Sequence, residues 1–124
     1  MVRSIPVVKR EGKKISEEAE WLEVDKIISS RNEKINYVHR TVYITSEGEF
    51  LHCNATDQIH ELLSEEEGFV VSDRGTLGNL NKKHEFDEKN KNIIFCNEYV
   101  ITISKPRLEK VKEVMNKLLR KNKQ

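Results

Sequence analysis

Long apolar runs are missing from this chain. No stretch of its 124 residues stays apolar over the roughly 20 positions that a membrane-spanning helix needs. The N-terminus also lacks the apolar core of a secretory leader, so a cytoplasmic protein with no membrane partner is expected. Cysteine is scarce: Cys53 and Cys96 form no CxxC spacing, and both are expected as buried strand residues in a reducing compartment. Glycine is scarce too, and none of it forms a loop that would cradle phosphate. No Ser/His/Asp arrangement appears. His52 and Cys53 are chain neighbours, and successive strand residues face opposite ways, so no nucleophile–base contact follows. His39 and His52 fall on adjacent strands, but a metal site needs more ligands at defined spacing, so both read as polar-face residues. Asp87-Glu88-Lys89 has the acidic-x-Lys form of restriction-type nucleases. That chemistry needs a second carboxylate to hold Mg²⁺, for which Asp73 is the nominee, and the Asn/Lys-rich surroundings read as a turn. A metal-dependent nuclease is therefore set aside, and no catalytic residue, metal or cofactor is expected.

Charge is abundant. Charged residues make up 35% of the chain, which suits one domain with a small or elongated core. Recurrent apolar runs exclude disorder. The net charge is only +1, but it is unevenly spread. From Lys105 to Gln124 there are eight basic residues and two acidic ones, a net of +6, which leaves −5 for the rest. Such a chain can present one basic face to phosphate and turn its acidic face away. A solvated helix face explains the same distribution.

Taken in order, Val2 to Val8 alternates and carries Pro6, which predicts an edge strand. A turn at Glu11-Gly12-Lys13-Lys14 leads to a short strand over Lys14 to Ser16, then a helical turn or loop entering Trp21, which is expected in the core. Ile27 and Ile28 precede the polar tip Ser29-Ser30-Arg31-Asn32-Glu33-Lys34. A strand over Asn36 to Thr45 and a second over Glu49 to Cys53 form a hairpin. Thr56 is placed to cap a short helix in which Ile59, Leu62 and Leu63 form an apolar stripe. After Lys82, Lys83 and His84, the run Glu85 to Asn92 reads as a turn. Ile93 to Cys96 and Tyr99 to Ser104 form a hairpin across Asn97-Glu98. Ser104 then caps a helix with Pro106 in its first turn and a stripe of Leu108, Val111, Val114, Met115, Leu118 and Leu119. That stripe fits core packing or a dimer partner.

The most informative stretch runs from Gly68 to Asn81. It opens as an apolar strand, Phe69 to Val71, and breaks into Ser72-Asp73-Arg74-Gly75. It closes with Leu77 and Leu80 flanking Gly78-Asn79, spaced for one helical or 3₁₀ turn. Closely spaced glycines imply positive φ or a tight backbone approach. On composition alone this is a connecting loop holding up Arg74.

The stretch resembles the signature of the LytTR-type DNA-binding domain of bacterial transcription regulators. Phe69 begins the strand, Arg74-Gly75 follows, and Leu77-Gly78-Asn79-Leu80 ends the segment. The order of the flanking parts, from Trp21 to Val111, fits as well. Asp73 stands where a histidine is usual, and Gly78 where an aliphatic residue is usual. The resemblance implies a mostly β fold, α+β only in a minor sense. It would be an elongated arrangement of short β-sheets with one short helix and a C-terminal amphipathic helix. Residues 1–104 would form the DNA-binding domain. Residues 105–124 would be a basic helix of the same domain or an oligomerisation element. It also implies sequence-specific binding to double-stranded DNA by a bacterial or phage transcription regulator. Three polar segments would reach the DNA: Arg31, Asn32 and Lys34; Arg74; and Lys105 and Arg107. Lys82 and Lys83 would add phosphate contacts. A homodimer and a regulatory partner protein stay open. So does a module of the same fold that acts through protein contacts alone.

Overall fold

Apolar runs such as Phe69-Val70-Val71 and Val42-Tyr43-Ile44 are continuous rather than alternating, which requires a sheet buried on both faces. The computed structural model, which describes residues 3–53, 58–95 and 98–122, has such a sheet at its centre. Its strands are β1 (Ser4–Glu11), β2 (Lys14–Glu23), β3 (Ser29–Ile35), β4 (Val38–Thr45), β5 (Gly48–His52), β6 (Phe69–Asp73) and β7 (Thr76–Asn79). They lie in the order β2-β1-β5-β4-β3-β7-β6, and every neighbouring pair is antiparallel. A second sheet has three strands, β8 (His84–Asp87), β9 (Asn92–Phe95) and β10 (Val100–Thr102). The helices are α1 (Gln58–Ser64) and α2 (Leu108–Asn122). The fold is mostly β, as expected.

Alternate side chains feed different cores. Phe69 joins Tyr43, Phe50 and Leu77 beneath Ile59 and Leu63 of α1. Val70 joins Ile93, Phe95 and Ile101 of the small sheet and Val111 of α2. The two residues are adjacent in the chain and point to opposite faces of β6. Most of the predicted C-terminal stripe therefore packs on its own domain: Val111 is fully buried, and Leu108, Val114, Met115 and Leu118 pack around it. Leu119 remains 60% exposed.

Several expectations are corrected. β1 lies inside the sheet, between β2 and β5. Pro6 is tolerated there because its carbonyl accepts from Cys53, past the end of β5, and its nitrogen faces that same end of the ladder. β2 runs straight through the glutamates for ten residues, because β1 supplies a register that outweighs their helix propensity. Trp21 is 73% exposed rather than in the core, since Leu22 takes the inward position. Leu77 lies in β7 rather than in a helical turn, with Leu80 just beyond the strand. Residues 84–87 form β8, because Phe86 packs against the second core. His52 is buried and its Nδ1 lies 3.0 Å from the Tyr43 hydroxyl, so it is not on a polar face. Ser104 makes no side-chain cap; its carbonyl accepts from Arg107 instead. Cys53 is half-buried and lies just past β5. The expectations for Val2, Thr56, Cys96 and Asn97 fall outside the described residues. Among the described residues no helix is long and apolar enough to cross a membrane.

Candidate nucleic-acid interface

Residues 29–34, read above as a polar tip, form a strand. The tip itself is Asn36-Tyr37, where both residues have positive φ, as a two-residue turn of this kind requires. In β3 the side chains alternate. Asn32 and Lys34 are exposed on one face, and Arg31 and Glu33 lie half-buried on the other. Arg31 is already engaged. Its Nη2 lies 3.0 Å from Glu33 and 3.4 Å from Glu49, and its Nη1 donates to the Tyr99 hydroxyl at 3.3 Å. Arg10 completes the cluster, reaching Glu33 with both terminal nitrogens and Glu49 at 2.8 Å. These hydrogen bonds, that from Arg10 first, hold the Glu33 carboxyl below its ordinary range. Two arginines and two glutamates neutralise one another, so Arg31 is not a free cation like Lys34.

The second segment is the β6–β7 hairpin, which turns at Arg74-Gly75. Gly75 has φ +73°, and a Cβ there would lie 3.3 Å from the Asn32 amide nitrogen. The Asn32 N–H donates to the Gly75 carbonyl at 2.9 Å. Pairing of β3 with β7 thus sets the Arg74 turn directly beside Asn32. Arg74 is exposed, and the Asp73 carboxylate accepts its backbone N–H at 2.8 Å, so Asp73 fixes the turn. Gly78 shows the close approach that the glycine spacing implied. A Cβ there would sit 2.6 Å from Ile101 Cδ1, so the Ile101 side chain occupies the space of the usual aliphatic residue.

The third segment follows β10. Ser104 N–H donates to the Ser72 carbonyl at 2.7 Å, which anchors the exposed turn Lys105–Arg107 two residues from Arg74. Ile103 N–H donates to the Lys91 carbonyl at 2.7 Å, so Lys91 joins this end of the molecule. Lys91 was missed in the sequence because it lies in the run Glu85 to Asn92, which reads there as a plain turn. The result is a row across one end of the sheets: Asn32 and Lys34, then Arg74, then Lys105 and Arg107. Lys82 and Lys83 follow the opposite end of β7, where Asn81 bonds the Glu67 carbonyl, so they lie apart from the row. The nuclease candidates do not converge. The Asp87 carboxylate accepts from the Asn90 N–H and side chain, closing the β8–β9 turn. No group of three or more metal-ligating side chains occurs among the described residues.

The LytTr DNA-binding domain of a methyl-accepting/DNA response regulator from Bacillus cereus superposes on this chain with a TM-score of 0.67, covering 93% of this chain and 98% of that one at 13% identity. The chain has the LytTR-type fold. No family model and no curated protein matches it.

Proposed function

We propose that this protein binds duplex DNA sequence-specifically through the row formed by Asn32, Lys34, Arg74, Lys105 and Arg107, and acts as a bacterial or phage transcription regulator. The observation that carries the reading is the convergence of three polar segments, distant in the chain, on one end of a rigid double sheet. Likeness of fold to a solved DNA-binding domain agrees with it. Asn32 has the donor–acceptor pair that matches adenine, and Arg74 the fork that matches guanine O6 and N7. Lys34, Lys105 and Arg107 supply charge for phosphate. The fixed strands position the side chains, and the turns make the readout.

The test is affinity for a site selected from random duplex DNA and for a scrambled duplex. Arg74→Ala is expected to lose about 1–3 kcal/mol on the selected site and far less on the scrambled one. Arg74→Lys keeps the charge but not the fork, so it should lose specificity as well. Lys83→Ala, off the row, should change neither. Equal weakening of both duplexes by Arg74→Ala would leave the readout to Asn32 or Arg107. No binding of any duplex at low salt would favour the protein-contact module.

A further inference from the structure

β2 is the longest strand and the outer edge of the large sheet, paired on one side only, with β1. Between Glu17 and Glu23 it carries four glutamates and no basic residue. Trp21, 73% exposed, stands opposite Pro6, and Ala19 opposite Val8, so these four share one face of the β1–β2 hairpin. Glu23 shares the parity of Trp21 and borders this apolar strip, and exposed Glu17 lies at its other end, in the register shift between Ile15 and Ala19. An exposed tryptophan ringed by carboxylates is a contact surface in want of a cation-bearing partner. Two copies cannot join edge to edge here without stacking glutamate on glutamate. The last two turns of α2 offer the complement: Leu119 is 60% exposed beside exposed Arg120 and Lys117, the latter 3.4 Å from Glu113 on its own helix, while Lys121 pairs with Glu67. α2 packs on β6, the far edge of the same sheet, so one molecule presents the two surfaces on opposite sides.

We propose that the acidic Trp21 face of the β1–β2 hairpin binds the basic C-terminal half of α2 from a second copy of this chain, head to tail. Such a contact joins unlike patches, so each added copy leaves one of each patch free and assembly continues stepwise. It uses none of the row residues and does not rest on the DNA-binding reading. The test is sedimentation of the full chain over rising concentration at low and high salt. Mass should rise with concentration at low salt, recede at high salt, and be accompanied by a blue shift of Trp21 fluorescence. Glu17→Lys with Glu23→Lys, and separately Lys117→Glu with Arg120→Glu, should each weaken association roughly tenfold or more. An equimolar mixture of the two variants should associate again, because each supplies the charge the other lacks. Trp21→Ala should weaken association without any change of charge. Cooperative thermal melts establish that each variant is folded. A monomer mass at every concentration would overturn the proposal. So would association indifferent to both charge reversals, or assemblies dispersed by DNA, which would assign the acidic face to the Arg74 row instead.

Discussion

Arg31 and Asn32 are neighbours in the chain and opposites in the fold. Strand parity sends Asn32 outward and Arg31 into the cluster with Arg10, Glu33 and Glu49. The sequence shows Arg31, Asn32 and Lys34 as one polar group, because two of the partners that engage Arg31, Glu49 of β5 and Tyr99, lie far along the chain. Arg74 was legible as a turn residue between strands; Asn32 and Lys34, expected on a tip, lie within β3, and their adjacency to Arg74 was not legible. His52 was equally opaque, since only the β4–β5 pairing puts it against Tyr43. Burial, and then the nearby Arg40 guanidinium, lowers the His52 pKa below 6.5. The unfolded chain therefore takes up the proton more readily than the folded one. Stability is expected to be flat above pH 6.5 and to fall as the pH drops below it. In His52→Gln that part of the slope should vanish, as read from chemical denaturation between pH 5 and 8 at about quarter-unit steps.

At the scale of elements, the sequence was most legible where local chemistry settles the matter. Gly12 and Gly75 mark turns with positive φ, and the apolar stripe of α2 marks a helix with one buried side. It was least legible where tertiary pairing outweighs propensity, as in the glutamate-rich β2 and in β8, whose Phe86 alone points to a core. Gly78 belongs to both cases. Its spacing hinted at a close approach, but the residue that approaches, Ile101, lies in the other sheet. Gly78→Ala should force a tightly held Ile101 aside and cost about 1–3 kcal/mol. Coupling it with Ile101→Val, which trims the obstructing methyl, should recover part of that loss in a double-mutant cycle.

For the molecule as a whole, a net charge of +1 conceals a separation. Lys34, Arg74, Lys105 and Arg107 stand on the row, while glutamates line β2 at the far edge of the sheet. If Lys34, Lys105 and Arg107, the cations facing phosphate, each displace a counterion from DNA, log affinity should fall with log salt at a slope of about −3. Removing any one should flatten the slope by about 1. A slope near zero in the wild-type protein would detach the row from phosphate.

The β3–β7 ladder is, with β1–β5, one of the two long closures on which this arrangement waits. Four of the six neighbour pairs in the large sheet are hairpins of consecutive strands, whereas Ser29↔Gly78, Ser30↔Leu77 and Arg31↔Thr76 join residues about 45 to 49 positions apart. Hairpins form in about 1–10 μs, but a closure of that span must wait for the chain between to be gathered in. Asn32 meets Gly75 only once this ladder has zipped. During refolding, the assembled row is thus among the last features to appear, and a nascent chain that ends before β7 has none of it to offer.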